Sequence, residues 1–506
     1  MRFLLLGSDY LADPLRRLGI EVSVCGPDPR CEMPLAEADP DWRDIEALAK
    51  AKGLDFEAVL VTDLVGSRRL PSGLWNAPAV TAFYGIDSPL NEFWQMPYAR
   101  LFDLAWLDQR PQAEALAAVH PGADWLPVAV DPALYEGEVP PLSRAGVCFV
   151  GVVDPRLRPK RSAVLARVRE IAPLSTRGGR RQAWFPTAKA AAAYRGSQVA
   201  LNENLFPGVT TRPLEIMASG GCLLSEAAPG DMDIFFRDGE HLFYFTPDDL
   251  KQKLEYCLRN REAARRVAAA GRELVRSEHS LDRRAAEIAR RIEIMGQSPA
   301  SARPRATGGE ALRLEGQAML MAGLRWPREQ GARRLLRGAG RLRAAAADGA
   351  EPLAAARGAG RACLALGRRE EALAHLARAA QSGQPADVLA LALAGGPAAQ
   401  GVPRSGDPAL DHLAMASLLR DSGLDLCPGF NRDGLDQIWW TALEHLLEAT
   451  RLQPGLRRAW LDMGDLLLAK GAPNQAHAAF QKAGALGHGP DLESRLGESA
   501  RKGYLI

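Results

Sequence analysis

The sequence predicts an α/β protein that turns all-α: two doubly wound parallel-sheet domains in succession, then an array of paired helices. Three observations predict it. A short apolar run closed by glycine opens the chain (Phe3–Leu6, then Gly7), and the same pattern restarts at Gly146–Gly151. After each of these, apolar runs of strand length alternate with amphipathic stretches of helix length. Beyond residue 309 strand signals vanish, and Ala, Leu and Arg recur with a helical repeat of about 34 residues.

The N-terminal domain is placed at 1–142. Phe3–Leu6 is its first strand, followed by a helix through Pro14–Leu18 and a second strand at Glu21–Cys25. An amphipathic stretch at Trp42–Lys52 leads to a third strand at Ala58–Thr62. Pro78–Tyr84 is another strand and runs straight into Gly85-Ile86-Asp87-Ser88-Pro89. Leu104–Leu107 and Trp125–Val128 are expected as further strands. Parallel sheets bind ligands outside the carboxyl ends of their strands, which singles out two loops, Gly7-Ser8-Asp9 and Asp87-Ser88. Asp87 is either a turn or N-cap residue or a carboxylate facing the cleft, able to orient or deprotonate an acceptor hydroxyl. No complete G-x-G-x-x-G is present, which argues against a nicotinamide or flavin enzyme.

The second domain is placed at 143–296, after the connection around Val139-Pro140-Pro141. Its first strand ends at Gly151, and Asp154–Arg161 adds clustered Arg and Lys that could reach phosphate or form a solvated loop. A helix to about Ile171, a strand and loop through Ser175–Gly179 with Trp184, and a helix at Lys189–Tyr194 follow. They lead to the most informative stretch, Ala200–Thr246: strand end, Gly-containing loop, helix and strand. Pro207-Gly208-Val209-Thr210-Thr211 stops just short of Arg212-Pro213-Leu214-Glu215, and proline suits a first helical turn. Free N–H groups at such a helix start, beside two threonines and an arginine, make a site for phosphate. Gly220-Gly221 ends the helix, and Cys222-Leu223-Leu224 begins the next buried strand.

Composition excludes other classes. The chain has 506 residues, 47% of them apolar and 25% charged, with a net charge of +2; no global field draws it to nucleic acid or anionic lipid. Its seven cysteines show no C-x-x-C pair, and its eight histidines no H-E-x-x-H spacing, so no structural zinc is expected. The opening MRFLLLGSDY is too short an apolar run for a signal peptide, and no window suggests a membrane span. A cytoplasmic location is expected.

Residues 297–309 form a polar, Pro/Gly-rich linker, and 310–506 the helical region. Trp460, Gly464, Leu467, Gly471, Ala476, Phe480 and Ala483 hold the spacing of a tetratricopeptide unit. Gly360, Cys363, Gly367, Ala372, Leu376 and Ala379 offer a second copy, and Ala442, Leu446, Ala449 and Pro454 half of another. Gly395–Arg404 and Cys427–Asp433 interrupt the array. Such arrays present a concave face to a protein partner, with stabilisation of the enzyme or self-association as the plainer alternative. The basic stretch Arg333–Arg343 reads as a solvated helix face.

Several of these residues carry a resemblance. Val199–Phe245, with Arg212, Glu215, Gly220 and Asp238-Gly239-Glu240-His241, resembles the donor half of GT-B glycosyltransferases, in particular the CgeB-like (spore-maturation-protein-like) group. Tyr84–Asn91, Ala99–Asp103, the Phe149–Gly151 restart and the tail Gly271–Arg284 are similar to that group in the same order. The resemblance implies two Rossmann-like domains over about the first 296 residues, with the tail helix returning to the N-terminal domain. It implies a nucleotide-diphosphate-sugar donor, an acceptor hydroxyl, and no metal or other cofactor; the absence of a D-x-D cluster agrees. Glu215 would contact the ribose, and Thr211 and Arg212 the diphosphate. The donor-side set is expected to comprise Gly151, Arg161, Asn202, Thr210, Thr211, Arg212 and Glu215. Asp87 is the expected base, with Gly7 and Ser8 in the acceptor-side loop. Retaining enzymes of this architecture often carry a second glutamate eight positions before the first; this chain has Pro207 there, with Glu203 out of register, so the stereochemical outcome stays open. The reading is a glycosyltransferase whose repeats recruit a protein partner or acceptor. Its alternatives are a non-catalytic scaffold of the same fold and an epimerase acting on a free nucleotide-sugar.

Overall fold

The computed structural model describes residues 1–37, 39–63, 69–137, 146–153, 159–178, 186–204, 208–227, 232–325, 329–382, 391, 406–421, 442–469, 473–489 and 491–503. The chain divides into two compact units: Met1–Pro89 with Phe102–Pro304, and Leu90–Leu101 with Arg305–Ile506.

The first unit holds two parallel sheets. Strands β1 (Arg2–Leu6), β2 (Glu21–Gly26), β3 (Met33–Pro34), β4 (Ala58–Thr62), β5 (Val80–Gly85), β6 (Leu104–Leu107) and β7 (Ala123–Trp125) make the first. Their order is β3-β2-β1-β4-β5-β6-β7, and every pair is parallel. All residues of β4 and β5 are buried, because helices cover both faces of such a sheet and the strands must be apolar throughout. These helices include α1 (Ala12–Arg17), α2 (Trp42–Ala51) and α4 (Arg110–Ala117); α3 (Ser88–Ala99) follows β5 and belongs from Leu90 on to the second unit.

The strand order reverses between β1 and β4, the place where such sheets open a crevice. Gly7 turns the chain there with φ +94°, and a Cβ at this position would overlap the Thr62 carbonyl oxygen. The Ser8 N–H donates to Thr62 Oγ1 at 3.0 Å.

One strand differs from expectation. The run Trp125–Val128 is apolar, but pairing covers only Ala123–Trp125. The Leu126 N–H makes a last bond to Leu107 O at 3.1 Å, and Pro127 then has no N–H to continue the ladder. Leu126 and Val128 are buried as core residues of a connection instead.

The second sheet contains β8 (Val147–Val150), β9 (Leu174–Arg177), β10 (Val199–Asn202), β11 (Leu223–Glu226) and β12 (Phe243–Phe245). Their order is β12-β11-β10-β8-β9, again parallel. Edge strand β9 alternates between partly exposed and exposed residues, as an edge does. Helices α5 (Pro159–Ile171), α6 (Thr187–Gly196), α7 (Thr211–Ala218), α8 (Met232–Phe235), α9 (Leu250–Arg259) and α10 (Arg261–Glu278) accompany it.

After α10 the chain returns to the first sheet. Val130 N donates to His279 O and Leu281 N to Val130 O, at 3.2 and 2.9 Å. Ser280 then caps α11 (Leu281–Gly296), its side chain accepting from Arg283 N. Ile288 and Ile292 of α11 join the core that contains Leu60 and Tyr84, and Arg284 Nε donates to Pro127 O at 2.7 Å. The segment expected as a linker carries a 3-10 turn, Ala300–Ala302.

The second unit is helical, with no strand among its described residues. Helices α12 (Gly308–Arg325), α13 (Glu329–Ala347), α14 (Pro352–Ala365) and α15 (Arg369–Ala379) pack in succession, as do α16 (Pro408–Asp421), α17 (Ala442–Leu452), α18 (Arg457–Ala469), α19 (Pro473–Ala485) and α20 (Leu492–Gly503). Small residues set their spacing: a Cβ on Gly464 would overlap the Phe480 ring, and one on Gly360 would come within 2.7 Å of Leu376. Leu467, Ala476, Phe480 and Ala483 are buried together, as are Cys363 and Ala372. Gly471, Gly395–Arg404 and Cys427–Asp433 lie outside the described residues. Among the described residues, no helix is long and apolar enough to cross a membrane.

Candidate active site

The stretch Ala200–Thr246 supplies the frame. Thr210 stands at the N-cap of α7 with extended backbone (φ −112°, ψ 170°), and its side chain makes no capping bond. Among the described residues the first-turn N–H groups of Thr211 and Arg212 meet no side-chain acceptor, and Pro213 has no N–H to satisfy. Such a helix start favours an anion. Gly220, at φ +72°, ends the helix, with Gly220 N bonded to Met217 O and Gly221 N to Ile216 O. Behind it, Gly271 of α10 faces Met217 and His241 so closely that a Cβ would overlap the His241 carbonyl.

Arg212 is fixed from three sides. Its Nε donates to Val150 O at 2.9 Å, its Nη1 to Asn202 Oδ1 at 3.1 Å, and its guanidinium lies 5.0 Å from the Phe149 ring centroid. Gly151, at φ +150°, leaves room for it: a Cβ there would come within 2.9 Å of Arg212 Nη2. Asn202 is fully buried, and its amide donates to Asn204 Oδ1 at 2.8 Å and Ser225 Oγ at 3.0 Å. It holds the arginine rather than facing open space. The half-buried guanidinium thus stands at the carboxyl ends of β8 and β10, beside the uncapped start of α7.

One turn on, Glu215 is half-buried. Tyr194 Oη donates to its Oε2 at 3.5 Å, and the Tyr135 hydroxyl lies near enough to act on its charge. Burial raises its carboxyl above the ordinary range, against the opposing pull of Arg212 and the two tyrosines. Neither tyrosine was legible as a partner, since Tyr135 lies 80 residues upstream by subtraction of the two numbers.

The two described cations of the basic cluster, Lys160 and Arg161 in the first turn of α5, are paired with acids. Arg161 is buried, with Nε bonded to Glu203 Oε2 at 2.8 Å and Nη1 to Val152 O at 3.0 Å. Lys160 Nζ donates to Asn204 O at 2.6 Å and lies 3.1 Å from both Glu226 oxygens and 3.5 Å from Glu203. Two buried acids are matched by two cations. Asp154–Arg158, Trp184 and Pro207 lie outside the described residues.

Across the unit, Asp87 sits between β5 and α3 with φ +54°, a left-handed conformation that a short polar side chain tolerates at a cost of about 1 kcal/mol. Its N–H donates to Asp108 Oδ2 at 2.9 Å, while Ser88 N and Oγ donate to Asp108 Oδ1 at 3.0 and 2.5 Å. Asp108 is the residue that sequence reading missed here. It is buried, and burial raises its carboxyl pKa against the hydrogen bonds that lower it. The Gly7-Ser8 loop lies at the end of β1, held by Thr62. Among the described residues, no three His, Cys, Asp or Glu side chains are grouped to hold a metal.

The fold and the site together define an α/β protein with a helix start that lacks a side-chain cap at the carboxyl edge of its second parallel sheet. Over this part of the chain a family model matches: residues 161–290 fit the family described as glycosyl transferase-like. No curated protein matches the chain. Among solved structures, it is similar to a glycosyltransferase from Rickettsia africae ESF-5, at 10% identity and a TM-score of 0.42, covering 59% of this chain and 99% of that one. It is similar to sucrose-phosphate synthase from Thermosynechococcus elongatus at 11% identity and a TM-score of 0.41, covering 58% and 99%. Anabaena HepE in complex with UDP and glucose gives 11% identity and a TM-score of 0.39, covering 58% and 99%. These structural likenesses are too loose to carry a function. The family match coincides with the segment that holds Arg212 and Glu215.

Proposed function

We propose that this chain is a glycosyltransferase of GT-B type that moves a sugar from a nucleotide-diphosphate-sugar to an acceptor hydroxyl. The observation that carries the reading is Arg212, fixed at two strand ends beside the uncapped first turn of α7. A departing nucleoside diphosphate gains negative charge, and a preorganised guanidinium with helix N–H groups stabilises that charge without reorganising. Thr210 and Thr211 offer hydroxyls to the same phosphates, and Gly151 leaves the space beside them. Glu215, steadied by Tyr135 and Tyr194, accepts from the ribose hydroxyls. Asn202 aims Arg212, and Arg161 holds Glu203, so both support the donor site from behind.

On the other side Asp87 takes the acceptor proton or orients the hydroxyl, with Gly7 and Ser8 lining the acceptor loop. No metal or other cofactor has a part in this reading. The first 296 residues are read as CgeB-like, and the helical unit, read as an irregular tetratricopeptide-type array, recruits the acceptor protein or pairs two copies. The location is cytoplasmic.

The test is release of nucleoside diphosphate from a panel of UDP-, ADP- and GDP-sugars, with water or cell-extract proteins as acceptor. Wild-type protein should turn over one donor class, and Arg212→Ala and Glu215→Ala should each lower the rate at least tenfold. If both variants match wild type, the site is elsewhere. A second reading, a scaffold without catalysis, is favoured by the commitment of Glu203 to Arg161; it requires that no donor be turned over at all.

A further inference from the structure

We infer that Gln109 is a positioning residue that couples the donor loop ahead of α7 to the acid Asp87. Gln109 directly precedes α4, and its side chain, instead of capping that helix, is turned inward and buried. Its Nε2 donates to Asp108 Oδ2 at 2.9 Å and to Val209 O at 2.8 Å. A carboxylate and a backbone carbonyl can only accept, so the amide orientation is dictated by its partners. The same Asp108 Oδ2 accepts from Asp87 N at 2.9 Å, and Oδ1 from Ser88 N at 3.0 Å.

A continuous chain of hydrogen bonds therefore runs from Val209, one residue before the N-cap of α7, through Gln109 and Asp108 to the backbone of Asp87. The donor loop is shaped to receive this amide. Gly208 has φ +132°, and a Cβ there would overlap Gln109 Oε1. Among the described residues that oxygen is buried without a hydrogen-bond partner, a cost the residue carries to place its NH₂ between two acceptors. Asp108 in turn holds Asp87 in its left-handed conformation, so any movement of Val209 is passed to the backbone that aims the Asp87 carboxylate. The roles named for the two ends rest on the proposed function; the hydrogen-bond chain does not.

Hydrogen exchange on the full chain tests the coupling, with UDP, ADP and GDP as probes. In the unliganded protein, Gln109→Ala should speed exchange of the Asp87 and Ser88 amides at least tenfold. In wild type, a bound nucleotide should protect both the α7 start and Asp87–Ser88. In Gln109→Ala it should still protect α7, with affinity within threefold, and no longer protect Asp87–Ser88. Gly208→Ala should loosen the same amides by pushing the carboxamide away, and its effect should shrink in the Gln109→Ala background. Should Gln109→Ala not fold, Gln109→Asn, too short to span both acceptors, takes its place with the same expectation. Unchanged exchange at Asp87 and Ser88, or simple addition of the two substitutions, would overturn the inference. If no nucleotide protects α7 even in wild type, the donor assignment fails, while the unliganded comparison still decides the coupling.

Discussion

Arg212 and Asn202 are bonded to each other across the start of α7, guanidinium to amide oxygen at 3.1 Å, and Asn202 is the fully buried partner. Asn202→Ala therefore removes a support, not a ligand contact. A hydrogen bond to a charged group contributes about 1.5–3 kcal/mol, so nucleotide affinity should fall roughly tenfold or more. Arg212→Lys should lose as much, because one ammonium cannot reproduce the fork that meets Val150 O and Asn202 together. Equilibrium binding of the three nucleotides to each variant checks both.

The buried pair Arg161–Glu203 makes a different prediction. Arg161→Met leaves Glu203, among the described residues, with the 3.5 Å contact to Lys160, and stability should drop by about 3–5 kcal/mol. Arg161→Met with Glu203→Leu should recover much of the loss. Urea unfolding of the three proteins measures it; equal stability of single and wild type would show that the pair is not coupled.

His279 predicts an acid limb. Burial, helped by Arg284 and Arg283, lowers its pKa from 6.5 to about 4. The unfolded chain then takes up a proton between these values that the folded chain refuses, so stability is lost as pH falls from 6.5 toward 4. The loss is at most about 3 kcal/mol. His279→Phe, whose ring fits beside Phe235 and Phe236, should flatten the fall in melting temperature between pH 7 and pH 5.

In the helical unit, Gly464 lies against Phe480 with no room for a Cβ. Gly464→Ala should cost about 1–3 kcal/mol by overpacking, and Phe480→Leu in that background should relieve part of it. Thermal melts of the two variants check the expectation.

The strands were legible because both faces of a parallel sheet are covered: β1, β4, β8 and β10 show as apolar runs, and β5 as one interrupted only by Thr81. Gly7, Gly151 and Gly220 were legible as turning points. The miss at Trp125–Val128 came from apolarity without a ladder, since Pro127 cannot donate. The first-turn residues of α7 could be read from Pro213 and the loop before it. Their supports could not. Tyr135 and Tyr194 around Glu215, Glu203 opposite Arg161, and Asp108 and Gln109 behind Asp87 all join residues far apart in sequence. Nothing in local periodicity marks such pairs. For the same reason the charge of Arg161 was visible in the sequence and its buried partner Glu203 was not.

The central claim is a nucleoside diphosphate held at the start of α7. Isothermal titration of wild type, Arg212→Ala and Glu215→Ala with UDP, ADP and GDP tests it most directly. Wild type should give saturable heat with one nucleotide, weakened at least tenfold by each substitution. Saturable binding that both variants retain in full, or no saturable heat with any of the three, would contradict it.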